Sequence, residues 1–164
     1  MPELRGFSHI DLTVRDCEAA APWWQDVMGF HLLNRSRRET FETMTLIHSS
    51  GFVVSLATHD ETPNSAFDER RVGLDHLGFE VRDRDELDRW VTHFDEKGVS
   101  HSGIIDIGFG PTVVFRDPDN VQLELMVHPT ADELTPALSD AGSTEAQQAL
   151  REILPATGER TQQA

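Results

Sequence analysis

The 164-residue sequence contains no tyrosine, one cysteine (Cys17) and one lysine (Lys97). A lone cysteine excludes an internal disulfide and a cysteine-rich zinc cage, and Cys17 reads as a small filler near a helix start. Positive charge is scarce: 14 Lys+Arg face 29 Asp+Glu, a formal charge of −15. Such a surface repels phosphates, so no nucleic acid is expected as a partner. Long apolar runs are also missing. None approaches the ~18 residues of a membrane span, and Met1–Arg5 lacks the apolar stretch of a secretory signal. The expectation is a cytoplasmic protein, with no membrane partner, acting on a small molecule. At 38% hydrophobic and 26% charged, the chain has the means to bury a core of its own.

The sequence does contain an internal repeat. Gly6-Phe7-Ser8-His9-Ile10-Asp11-Leu12-Thr13-Val14-Arg15-Asp16 matches Gly73-Leu74-Asp75-His76-Leu77-Gly78-Phe79-Glu80-Val81-Arg82-Asp83 at Gly, His, Val, Arg and Asp, with an offset of 67. Trp23 and Trp90 keep that offset, whereas Asp26/Asp95 and Gly29/Gly98 are 69 apart, as if the second helix were slightly longer. Each copy opens with a strand of period-two alternation, then an Asp N-cap (Asp16, Asp83) and a helix running to Gly29 or Gly98. Pro22 is expected to delay or kink the first helix. Three strands follow in each copy, near His31–Ser36, Phe41–His48 and Phe52–Thr58, then Ser100–Ile105, Thr112–Phe115 and Val121–Val127. Asp117-Pro118-Asp119-Asn120 is a strong turn signal. The order predicted is βαβββ twice, an α+β fold of two modules, 6–58 and 73–127, joined by a polar linker, 59–72, with residues 1–128 as one domain. Residues 129–164 carry six acidic and two basic residues; they read as an acidic polar extension with at most one short helix, Thr144–Leu154.

Alternation then selects side chains that share a face. If Ile10, Leu12 and Val14 pack under a helix, His9 points to the other side, and His76 does so in the second copy. In the last strand Leu123, Leu125 and Val127 face the helix, leaving Gln122, Glu124 and Met126 inward. A carboxylate between two core leucines needs a counter-charge, which a metal ion supplies. His9, His76 and Glu124 are thus the candidate metal ligands. Two imidazoles and a carboxylate suit Fe(II), Mn(II), Zn(II), Co(II) or Ni(II) and leave coordination positions open. Taken singly, each histidine reads as a core or edge residue; their equivalence in the repeat favours ligation. Ser55 occupies the place equivalent to Glu124; it reads as a substrate-facing residue or a small filler. His101 is a candidate acid or base, or an exposed loop histidine. Asp11 and Glu80 are placed to orient a ligand histidine, or to form an edge ion pair. Trp23 and Trp90 read as helix-to-sheet anchors and Trp24 as a contact with a partner subunit or the tail. Gly108-Phe109-Gly110 reads as a loop and not a phosphate cradle, since no helix follows it.

These residues resemble the vicinal oxygen chelate superfamily, the glyoxalase/bleomycin-resistance/dioxygenase fold. The likeness is carried by His9–Asp16, by Trp23-Trp24-Gln25-Asp26-Val27-Met28-Gly29-Phe30, by His76–Val81 and by Phe115–Leu125, and it spans roughly residues 6 to 127. It implies curved mixed sheets forming a metal-binding cup, with His9, His76 and Glu124 on the family's ligand positions. It also implies a homodimer, with the cup completed within one chain or across two. Glyoxalase I and methylmalonyl-CoA epimerase relatives have a fourth ligand or base where Ser55 stands. Three ligands with that place vacant resemble extradiol ring-cleaving dioxygenases and fosfomycin-resistance transferases. The resemblance therefore implies an enzyme, foremost an Fe(II) extradiol-type dioxygenase. The alternatives are a glyoxalase- or epimerase-type isomerase or a thiol transferase on a non-redox metal, and a metal-free drug-sequestering protein.

Overall fold

Both copies of the repeat build a four-stranded mixed sheet with one helix. The computed structural model describes residues 6–130 together with residues 133, 134, 144, 148 and 152. Its elements run β1 (Ile10–Thr13), α1 (Cys17–Asp26), β2 (His31–Arg37), β3 (Phe41–Ile47), β4 (Val53–His59), β5 (His76–Glu80), α2 (Arg84–Lys97), β6 (His101–Asp106), β7 (Pro111–Arg116) and β8 (Gln122–Met126). The sheet orders are β1-β4-β3-β2 and β5-β8-β7-β6, so each copy returns its fourth strand beside its first. By their contacts the residues form two units, one of the chain up to Leu77 plus Arg116–Gln122, the other of Gly78–Phe115 plus the chain from Leu123 onward.

In the first unit, β1 runs parallel to β4 with Asp11 opposite Ser55 and Leu12 opposite Leu56, while β3 runs antiparallel to β4 with Thr45 opposite Ser55. Period-two alternation gives this sheet two unlike faces. Leu12, Val14, Met44, Leu46, Val54 and Leu56 form the buried face. Helix α1 lies on it through Cys17, Ala20, Ala21 and Trp24, which recur at i, i+3, i+4 and i+7 and so share one stripe. Asp16 caps the helix by accepting from the backbone N–H of Glu18 and Ala19. Two expectations are corrected here. Pro22 does not delay the helix, which starts at Cys17 and runs through the proline. Trp24, not Trp23, is the anchor: it is fully buried, against Phe30 at 5.4 Å, whereas Trp23 is half-buried. The repeat aligns Trp23 with Trp90, but helical phase assigns the core to the neighbouring position. Each fully buried large side chain contributes about 1.5–3 kcal/mol. Cys17 is buried, with its thiol pushed up by desolvation, as a filler should be.

In the second unit Leu87 and Phe94 anchor α2, again in place of the half-buried Trp90, and Phe94 meets Phe115 at 4.5 Å. Asp83 caps the start through the Glu86 N–H. Gly98, at φ 66°, supplies the left-handed residue that ends the helix. Of the short helix predicted over Thr144–Leu154, most lies outside the described residues; Thr144, Gln148 and Glu152 are helical and exposed.

One segment of the second copy's sequence packs with the first unit. Asp119 accepts from Arg15 through both Nε (2.7 Å) and the backbone N–H (3.1 Å), and Phe67 N–H donates to the Asp119 carbonyl. Asn120, the only non-glycine residue at positive φ among those described, donates its amide to the Phe67 carbonyl. The Arg116 guanidinium grips Glu69 through two nitrogens, at 2.8 and 3.2 Å, and holds its carboxyl below the usual range. The turn thus clasps the linker against β1.

Candidate metal centre

His9 precedes β1 and shares the face of Asp11 and Ser55. Its Nδ1 lies 3.0 Å from Ser8 Oγ and its Nε2 3.6 Å from Asp11 Oδ2, with about half of the side chain exposed. Of the two expected orienting carboxylates, Asp11 is therefore beside its histidine. Ser55, on the same face, is buried and lies 3.5 Å from Thr45 Oγ1, so it is a filler held against β3 as well as a surface on that face.

His76 opens β5. Its Nδ1 is 2.7 Å from Asp75 Oδ1. A carboxylate on one ring nitrogen fixes the tautomer and orientation of the ring. Sequence reasoning assigned this orienting role to Glu80, four residues along the strand, and missed the adjacent Asp75.

Glu124 sits on β8 between Leu123 and Leu125, all three buried. Two features position its carboxyl. Thr112 on β7 donates its hydroxyl to Glu124 Oε1 at 2.5 Å, and its side chain is fully shielded from solvent. Oε2 lies on the side of Gly78, 4.0 Å from where a Cβ on that glycine would stand. Thr112 was also missed from sequence. The signal was present: a hairpin folded about Asp117–Asn120 brings Thr112 diagonally across from Glu124, and the bonds Asp117 N–H to Val121 O and Val127 N–H to Pro111 O frame that register.

His101 has both ring nitrogens engaged by the protein. Nδ1 accepts the Gly103 N–H at 3.0 Å and Nε2 meets Asp95 Oδ1 at 3.1 Å, while the ring packs on Phe94 at 5.9 Å. It ties β6 to α2. Among the described residues no three His, Cys, Asp or Glu side chains are gathered as a metal would require. In kind, however, the donors suit a divalent ion: imidazole with a carboxylate-anchored ring, and a buried carboxylate that already accepts a hydroxyl proton.

A separate cavity of about 210 Å³ lies in the first unit at the opposite end of β1, walled by Thr13, Val14, Phe67, Leu74 and Pro63 with Arg71 at its rim. Four residues separate Thr13 from His9, about 13 Å along a strand. No helix among the described residues is long and apolar enough to cross a membrane.

The family model of the glyoxalase/bleomycin resistance protein/dioxygenase superfamily matches residues 6–125. The chain belongs to this superfamily. A solved glyoxylase/bleomycin resistance protein/dioxygenase domain from Frankia sp. EAN1pec is 33% identical, with a TM-score of 0.73, and the match covers 77% of this chain and all of that one. FosX of Listeria monocytogenes, a genomically encoded fosfomycin resistance protein solved with Mn(II) and 1S,2S-dihydroxypropylphosphonic acid, shares the superfamily fold at a TM-score of 0.61 and 19% identity, over 82% of this chain and 99% of its own. A curated Bacillus subtilis (strain 168) protein named "Putative ring-cleaving dioxygenase MhqA" is 28% identical over 139 residues. That match covers 79% of this chain but 44% of the relative, so the chain spans less than half the length of the curated protein it matches.

Proposed function

We propose that this chain is a divalent-metal-dependent enzyme of the dioxygenase type, acting on a small molecule with two neighbouring oxygens, with Fe(II) held by His9, His76 and Glu124. The observation that carries this reading is the Glu124 carboxyl. It is buried on a core strand, held at one oxygen by Thr112, with its other oxygen on the side of Gly78. Such a group is costly to bury unless a cation meets it. The similarity to a protein named for ring cleavage supports the choice of reaction, and FosX supports a divalent metal in this fold.

The metal would supply Lewis acidity toward the paired substrate oxygens and an open position for dioxygen. The chain's own residues would do the rest. Asp75 would hold the His76 ring at Nδ1, Ser8 would hold the His9 ring at Nδ1, and Thr112 would keep the Glu124 carboxyl aligned. Ser55 and Thr45 would line the face beside His9 as small polar surface against the substrate. We take the chain to act as a homodimer, with the ligand set completed within one chain or across two.

The test is to load the protein with Fe(II) under nitrogen, measure bound metal by elemental analysis, then add catechols and hydroxyquinones and follow oxygen consumption. Stoichiometric iron and diol-dependent uptake are expected, and both should disappear in Glu124→Gln. Turnover without oxygen, or no iron bound, would overturn the dioxygenase reading.

A further inference from the structure

We propose that the cavity between the linker and β1 is a second small-molecule site, one that takes a compact apolar carboxylate. It lies within the first unit, away from His9, and stands without the metal reading above. Linker 59–72 is polar by composition, and its apolar residues are Pro63, Ala66, Phe67 and Val72. All of them line this cavity of about 210 Å³, together with Val14 and Leu74. A solvated connection has no need to gather its apolar side chains around one void. Val72 is wholly exposed there, so its hydrocarbon surface stands in water until an occupant covers it. The wall is also held in place beforehand. Phe67 is tied at both backbone groups, its N–H donating to the Asp119 carbonyl and its carbonyl accepting from the Asn120 amide. The Arg71 N–H closes a turn onto the Asp68 carbonyl. A preformed wall spares a ligand the cost of ordering it.

Charge selects the class of occupant. The charged residues around the cavity are Arg15, Asp68, Arg71 and Asp119. Asp119 is matched by Arg15 at 2.7 Å, and Asp68 by Arg70, which reaches its two oxygens at 2.7 and 3.0 Å. Arg71 is the cation left over. Its ion pair is a 3.9 Å approach to Asp68 Oδ2, an oxygen that Arg70 already engages, and its side chain is 81% exposed. The Arg71 guanidinium thus keeps donors for a further acceptor, and a carboxylate fits that planar fork through two parallel N–H groups. In a chain of net charge −15, a spare arginine beside an apolar void favours an anion with a hydrocarbon body. At the packing density of protein interiors the volume admits about eight to ten heavy atoms, too few for a peptide segment.

The experiment titrates the full chain with sodium benzoate and follows backbone amide shifts by nuclear magnetic resonance, for wild type, R71Q and A66W. Benzyl alcohol, with the ring and no charge, and acetate, with the charge and no ring, are the comparison probes. Benzoate should move the amides of Ala66, Phe67, Val72 and Leu74 with a dissociation constant of about 0.1–1 mM, ordinary for so small a ligand. Benzyl alcohol on wild type, and benzoate on R71Q, should each bind about tenfold more weakly, the loss of one charge-assisted contact. Acetate should leave those amides in place, and A66W, which fills the cavity, should abolish the benzoate shifts. No benzoate shift by about 10 mM, or shifts centred elsewhere, overturns the proposal. Equal binding of benzyl alcohol and benzoate overturns it too, since the site then ignores charge. Should A66W not fold by circular dichroism, R71Q decides, because its residue lies at the surface: a tenfold loss supports the site and an unchanged affinity overturns it.

Discussion

Asp117 shows how one side chain can set the pH response of a whole chain. It is 5% exposed, and burial pushes its carboxyl up to about 6 although Oδ1 accepts from the Asp119 and Val121 N–H groups. An acid whose pKa is higher folded than unfolded contributes stability that is complete below its ordinary value near 3.8 and lost as pH rises through about 6. The difference of about two units corresponds to at most about 3 kcal/mol. Asp117→Asn keeps an acceptor for the two N–H groups and removes the ionisation. Thermal melts should show the variant more stable than wild type at pH 7.5 by several degrees, with the two curves converging near pH 4. Parallel pH profiles would show that the buried carboxyl is not the cause.

At the scale of elements, strand order and helix caps were legible because they follow from short-range rules. Period-two alternation located eight strands to within a residue or two, and Asp16, Asp83 and Gly98 marked helix ends through the backbone groups they satisfy or the φ they permit. Phase was less legible. The repeat equated Trp23 with Trp90, and both are half-buried, while the stripe Cys17, Ala20, Ala21, Trp24 carries the helix onto its sheet. Contacts between strands were legible only where a residue type announced itself: Glu124 was an anomaly among leucines, whereas Thr112 and Asp75 look unremarkable until their partners are known. The β6–β7 hairpin holds a position that no pattern revealed. Gly110 sits at φ 118°, and a Cβ there would stand 2.4 Å from the Val127 carbonyl oxygen. Gly110→Ala should therefore cost about 2–4 kcal/mol, seen as a melting temperature lower by roughly 5–10 °C. An unchanged melt would mean that the hairpin and β8 separate more easily than this contact implies.

For the molecule as a whole, the repeat and the superfamily match agree on architecture, while the reaction depends on how ligands from separate strands are assembled. A homodimer with shared sites makes a definite forecast. His9→Ala and Glu124→Ala chains, each inactive alone, should recover activity when unfolded and refolded together. Random pairing gives half mixed dimers, each with one intact site of two, so recovery should reach about a quarter of wild type. No recovery would place His9 and Glu124 of each site within one chain.

The clasp around Asp119 has a consequence for biogenesis. When the last strand of the first repeat leaves the ribosome, Arg15 still lacks an acceptor that stands about a hundred residues further along the chain. A nascent chain halted before Arg116 would lack every group that ties the linker to β1, so the turn of the second copy is what closes the clasp on the first.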